Sequence, residues 1–280
     1  MLMGMLARNT SADINVIALV GERNREVKEF IDDALGEGAL EKTVVVVATS
    51  DMPPVLRVRS ALLATTIAEV FRTQGKQVML MMDSLTRFAQ AQREIGLMLG
   101  EPPASKGFTP SCFTAIAELL ERAGSDKSGG SISAFYTVLV EGEDLASDPV
   151  AESAMAVLDG HIVLDRKYAE RGHYPAINLL QSISRLESKL SPPHILKAAR
   201  SLRKDIAMYE RMEDIIQMGA YEQGSNQHLD IIIKNIPHIH AFMQQEPNEV
   251  CARAHAERAL LDVVAANKPI SAMSNAVEDD

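Results

Sequence analysis

Apolar residues run almost unbroken over Asn15–Val20, Thr43–Ala48 and Gln77–Met82, each run no longer than a strand. Continuous runs of this kind are expected where a parallel sheet is covered on both faces. Between the last two, over 55–73, Leu63, Ile67, Val70 and Phe71 recur at helical spacing. Residues 83–99 read as a second helix, followed by a turn region with Pro102, Pro103 and Gly107. Ile132–Val140 and the short His161–Leu164 are again strand-like, and the alternation predicts an α/β core with parallel strands. After Ser191-Pro192-Pro193 the pattern changes: Leu202, Ile206, Tyr209 and Ile216 keep a helical period, and later helical segments are punctuated by Gly219, Gly224, Pro237 and Pro247. The expectation is an α/β core over 1–190 and an all-α domain over 191–280, ending in a frayed acidic tail, EDD. GSDKSGGSIS at 124–133 reads as a flexible loop.

Two acids stand where chemistry gathers in such a fold. Ligands of open α/β sheets bind beyond the carboxyl ends of the strands. Asp83 closes the apolar run Gln77–Met82, and Val20-Gly21-Glu22-Arg23 closes the first strand. An acid at the first position can hold magnesium, directly or through water, beside nucleotide phosphates. A carboxylate at the second can orient or deprotonate a water attacking a γ-phosphate. Each also has an ordinary reading, Asp83 as a helix N-cap and Glu22 as a solvated turn acid. A phosphate loop needs Gly directly before Lys and another Gly five residues earlier. Lys127-Ser128 fails that test because Asp126 precedes it, and no other Gly-Lys-Ser/Thr occurs in the 280 residues.

Composition narrows the class. The chain carries 28 basic and 38 acidic residues, a net charge of −10, which argues against a general nucleic-acid-coating surface, though a local basic channel is compatible with it. Cys112 and Cys251 stand alone without a CxxC pair, consistent with a reducing compartment and against a disulfide framework or zinc ribbon. No apolar stretch approaches the about 18 residues of a membrane span, and MLMGMLARNT lacks the features of a signal peptide. The expectation is a soluble, cytoplasmic protein.

The order of four segments carries a family resemblance: GERNREV at 21–27, QVMLMMDSLTRFAQAQREIGLMLGEPP at 77–103, FYTVLVEGEDLASDP at 135–149 and LDGHIVLDRKYAERGHYPAINLLQSISR at 158–185. Together they resemble the ATPase of flagellar and type III protein export, a relative of the catalytic β subunit of F-type ATP synthase. LASDPVAES and GSDKSGGSIS are more similar to the export ATPases than to the synthase, and GEPPASKGFTPS leans towards the flagellar versions. The resemblance implies a RecA-like core, use of ATP and Mg2+, and a homo-hexameric ring. It further implies stalk or regulator proteins, export chaperones and substrates as partners, with no specific nucleic acid, at a station peripheral to the membrane export gate. In the family the phosphate loop leads into a helix similar to Leu2–Arg8, so the chain reads as a truncated frame, a fragment or one piece of a split protein. A non-catalytic ring protein and a synthase β-like subunit are the alternative readings.

Carried over by position, the resemblance makes Glu22 the catalytic glutamate, Arg23 its neighbouring arginine, and Asp83 the magnesium-side acid. Arg87 becomes the arginine near the phosphates. Tyr174 in GHYPAI becomes the ring that packs on adenine, with Tyr221 in GAYEQG the other wall; tyrosine suits this because it is flat, rigid and amphipathic. Arg185 in SISR becomes an arginine finger offered to a neighbouring subunit, a task suited to a planar, permanently charged guanidinium. His228, His238, His240 and His255 do not make a metal motif: His238 and His240 are two apart and share no helical face. Glu141, Glu143, Asp144 and Asp148 read as a solvated acidic loop.

Overall fold

The computed structural model describes residues 1–142 and 144–267, apart from the side chain of Glu37. The chain divides into two compact units, Met1–Leu158 and the remainder from Asp159 onward.

In the first unit, α1 (Leu2–Asn9) leads into β1 (Ile14–Glu22), and α2 (Asn24–Glu29) runs on into a π-helical turn over Phe30–Leu35. Then follow α3 (Glu37–Leu40), β2 (Thr43–Thr49), α4 (Pro54–Thr73), β3 (Gln77–Asp83), α5 (Leu85–Met98) and α6 (Pro110–Leu120). The unit closes with β4 (Gly124–Ser125), β5 (Ser131–Tyr136) and α7 (Pro149–Val157). The sheet order is β2-β1-β3-β5-β4, parallel except for the antiparallel edge strand β4.

Period-two geometry explains why the central strands contain so few polar residues. Val16, Ala18 and Val20 of β1, with Val78, Leu80 and Met82 of β3, pack against Ala61, Ala64 and Ala68 of α4 and Leu85 and Phe88 of α5. The alternate residues Ile17, Leu19 and Met81 pack on the other face against Ala7, Leu35 and Ala39. Both faces are covered, as continuous apolar runs require. The buried Asn15 is tied in by its amide, which donates to the Ala7 carbonyl (3.0 Å) and to Thr43 Oγ1 (3.3 Å).

Two local expectations are corrected. GSDKSGGSIS is not a flexible loop: Gly124 and Ser125 pair with Ile132 and Ser131, Asp126 forms an ion pair with Arg72 (3.5 Å), and Ser128 Oγ donates to the Arg72 carbonyl (2.7 Å). The strand expected over 132–140 ends at Tyr136, because its partner β3 ends at Asp83 and turns into α5.

The second unit starts with the antiparallel pair β6 (Gly160–Leu164) and β7 (Ile177–Ser184), joined through α8 (Arg166–Glu170). After α9 (Glu187–Leu190) come α10 (Pro193–Gln217), α11 (Gln227–Met243) and α12 (Arg253–Ala266). Ala198, Leu202, Ile206, Ile232, Ile239 and Val264 form its core, and Leu179 and Leu180 of β7 pack onto it. That packing draws the β6–β7 pair into the helical unit, so the structural division precedes residue 159 while the sequence changes character near 190. Pro237 does not break a helix as expected but lies inside α11. It costs one backbone hydrogen bond, which the buried Ile232 and Ile239 on either side offset by anchoring both halves in the core. The EDD tail and Glu143 lie outside the described residues.

Candidate active site

Three elements of the first unit bring Glu22, Asp83 and Arg87 together. β1 and β3 are adjacent and parallel, with Leu19 opposite Asp83, so the two strands deliver Glu22 and Asp83 at their carboxyl ends. Gly21 precedes Glu22 with φ +73°, a conformation that glycine adopts without penalty. A Cβ at that position would sit 2.9 Å from Arg87 Cβ and 3.1 Å from Cγ, so the glycine lets the arginine stem lie against the end of β1.

Asp83 is not the cap of the following helix. Ser84 is: its side chain accepts from the Arg87 N–H (3.3 Å), and the Asp83–Ser84 peptide is cis. Asp83 instead accepts from Thr137 Oγ1 at 2.6 Å through Oδ1. Thr137 is itself fixed by backbone bonds, its N–H to the Met82 carbonyl (3.0 Å) and its carbonyl to the Leu85 N–H (2.9 Å). The residue after β5 therefore clamps both sides of the Asp83 turn.

The carboxyl of Glu22 is pushed up to about 7. Burial is the largest cause, followed by the negative charge of Asp83 and a hydrogen bond with Glu26; the nearby Arg87 opposes the rise. A base titrating near neutrality is matched to accepting a proton from water at physiological pH. Arg87 donates through Nη1 to Gln90 Oε1 (3.2 Å), and its buried Nε–H has no acceptor among the described residues. An unsatisfied buried guanidinium donor is a costly feature. Arg23 stands apart from this cluster: it pairs with Glu26 at 3.5 Å and its side chain is 77% exposed.

The remaining sequence-predicted site residues, Tyr174, Tyr221 and Arg185, belong to the second unit. Tyr174 is 54% exposed and sits at a cis Tyr174–Pro175 bond. Its carbonyl accepts from the Gln245 N–H (3.1 Å), and the preceding His173 is buried, edge-on to His240 with ring centroids 5.7 Å apart. The turn is thus anchored while the tyrosine ring faces solvent. Tyr221 is engaged differently, its hydroxyl donating to Asp230 Oδ1 (2.9 Å) and to the Asn226 carbonyl (3.3 Å). Arg185 follows β7, exposed, with its backbone N–H donating to the Asp159 carbonyl (2.7 Å). His228 is a structural partner of buried Asp205 (3.0 Å), which also accepts from Asn267 Nδ2 (2.9 Å). In the acidic segment, Asp148 caps α7 by accepting from the Val150 and Ala151 N–H groups. Sequence reasoning missed Gly21, Thr137 and Gln90; Thr137, the first polar residue after the FY pair that ends β5, is the one with a readable signal.

The sheet, parallel apart from β4, thus gathers two acids and an arginine at the carboxyl ends of its central strands, where ligands of open α/β folds bind. Residues 1–184 match the ATP synthase alpha/beta family, nucleotide-binding domain, and residues 191–262 match the T3SS EscN ATPase C-terminal domain. The chain belongs to the ATP synthase alpha/beta family, and within it the chain is similar to flagellar and type III secretion proteins. It is 52% identical to the flagellum-specific ATP synthase of Bacillus subtilis over 89% of this chain and 56% of that protein. It is 51% identical to the type 3 secretion system ATPase of Xanthomonas euvesicatoria over 90% of this chain and 56% of that protein. The assembled ATPase EscN of enteropathogenic E. coli superposes with a TM-score of 0.89 at 45% identity, over 94% of this chain and 63% of that one. The chain spans about half the length of the curated relatives it matches, at 56% of the Bacillus subtilis protein. Among the described residues no helix is long and apolar enough to cross a membrane.

Proposed function

We infer that this chain supplies the water-activating half of an ATPase that drives protein export through a flagellar or type III secretion apparatus. The observation that carries the reading is Glu22, raised to about 7 between Asp83 and Arg87 at the carboxyl ends of β1 and β3. Glu22 accepts the proton of the attacking water or orients it, and Arg87, whose charge already acts on Glu22, offers its guanidinium to phosphate oxygen. Magnesium, where bound, neutralises the phosphate charge. Asp83 suits it because magnesium keeps most of its waters and takes one or two carboxylates, and the Thr137 bond leaves Oδ2 of Asp83 for that contact. Amides and a lysine to grip the phosphates are a separate requirement, and the 280 residues contain no GxxxxGK[ST] sequence.

Tyr174, exposed on an anchored turn, is suited to stack on adenine, with Tyr221 as a second wall that its Asp230 bond holds in place. Arg185, exposed after β7, is suited to act on the nucleotide of a neighbouring subunit. A trans-acting arginine needs a ring; EscN has been solved assembled and in complex with its central stalk EscO, which supports a homo-hexamer with a stalk partner for this protein too. Export chaperones and substrates complete the partner set, at the cytoplasmic face of the export gate. The family matches part between 184 and 191, which supports a domain boundary near residue 190.

The test uses a chimera joining this chain to the N-terminal part of the Bacillus subtilis relative. It should hydrolyse Mg-ATP. Rings of Arg185→Ala or of Glu22→Gln alone should be inactive, and mixed rings should regain activity where an intact Arg185 faces an intact Glu22. A chimera that assembles, binds ATP and does not hydrolyse it would favour a non-catalytic ring protein. An Arg185→Ala ring as active as its parent would remove the trans-finger assignment.

A further inference from the structure

Arg87 has a long side chain, and holding one in a single geometry costs rotamer entropy. A guanidinium meant for a phosphate oxygen has to be held before the ligand arrives, because looseness of about 0.5 Å already degrades a site. Two features of the structure restrain it. The stem lies on Gly21, where no Cβ intervenes. The head is bonded to Gln90 one helical turn further on, Nη1 to Oε1 at 3.2 Å. This i, i+3 spacing on α5 puts both side chains on one helix face. A neutral amide acceptor suits this task. It satisfies one donor of the guanidinium and leaves its positive charge uncompensated, whereas a carboxylate in the same place would neutralise it before any phosphate arrived.

We propose that Gln90 is a positioning residue that tethers the Arg87 guanidinium beside Glu22 and Asp83, with its charge kept available for an anion. The assignment rests on the reading of Arg87 as a phosphate-facing group, but the tether itself is observable without nucleotide. Gln90 touches no reacting atom; it acts through Arg87 alone.

The experiment uses the full 280-residue chain and nuclear magnetic resonance of the arginine Nε–H groups and the glutamate side-chain carboxyl carbons. In the parent, the buried Arg87 Nε–H should give a resolved, exchange-protected signal. Gln90→Met, close in volume and without an acceptor, should broaden or remove that signal. It should also move the Glu22 titration midpoint upward by about half a pH unit or more, because a cation that stabilises the carboxylate has been released. Gln90→Glu retains an acceptor and should keep the protected Nε–H signal. Backbone spectra that superpose away from α5 would exclude unfolding as the cause. The proposal is overturned if Gln90→Met leaves both the signal and the midpoint unchanged, or if Gln90→Glu loses the signal as Gln90→Met does. These outcomes are independent of hydrolysis: an inactive Glu22→Gln chimera says nothing about the tether, and an absent tether leaves the role of Glu22 standing.

Discussion

Thr137 donates its hydroxyl to the Asp83 carboxylate at 2.6 Å from a backbone position that is bonded to residues on both sides of that acid. A carboxylate fixed in this way presents its other oxygen in one direction, which is what outer-shell partners of metal ligands provide. In the chimera, Thr137→Val should raise the magnesium concentration needed for half-maximal hydrolysis by about tenfold, the low end of outer-shell effects. Thr137→Ser, which keeps the hydroxyl, should stay near the parent. Initial rates against magnesium at saturating ATP check this; equal magnesium dependence in Thr137→Val would make the bond a turn constraint only.

Glu22 places a stability burden on the first unit. Its folded value is raised from 4.5 to about 7, so its neutral form favours folding. That contribution is complete below 4.5 and is lost as pH rises through about 7. Glu22→Gln removes the charge that burial and Asp83 disfavour. The variant should therefore melt at a higher temperature than the parent at pH 8, with the two converging at pH 5. Thermal unfolding followed by a probe placed in the first unit tests this, since two units need not unfold together. A variant less stable than the parent at pH 8 would contradict the assigned environment. Exchanging stability for a poised group is a common feature of active sites.

The α/β core was legible because β1, β2 and β3 are covered on both faces and so carry few polar residues. Asp83 and Glu22 stood out for the same reason, as acids ending apolar runs. Arg87, Tyr174 and Arg185 came from family resemblance, since an isolated arginine or tyrosine carries no periodic signal. The hairpin at Gly124–Ser131 was illegible because its order comes from Arg72, 56 residues from Ser128 in sequence and adjacent only after folding. Pro237 misled for a similar reason: the local rule against proline in a helix is outweighed by burial of Ile232 and Ile239 in the core. Gln90 and Gly21 acquire meaning only through their contact with Arg87, a relation no single position displays.

The 280 residues alone should bind ATP weakly. Phosphate grip in such sites comes chiefly from loop amides at a helix N-terminus and a lysine, and the sequence has no such motif. Calorimetry with Mg-ATP should give a dissociation constant weaker than about 1 mM, corresponding to about 4 kcal/mol or less of binding free energy. Micromolar binding would show that Arg87, Asp83 and the tyrosines suffice without a phosphate loop.

The most direct test of the central claim is hydrolysis by the chimera carrying Glu22→Gln, with nucleotide binding measured on the same preparation. The substitution keeps the shape of the side chain and removes its capacity to take a proton at neutral pH. The account predicts ATP affinity within about twofold of the parent and turnover reduced by at least ~10²-fold, the scale of a lost general base. Parental turnover in an assembled Glu22→Gln ring would contradict it and leave Glu22 as a structural acid at the end of β1.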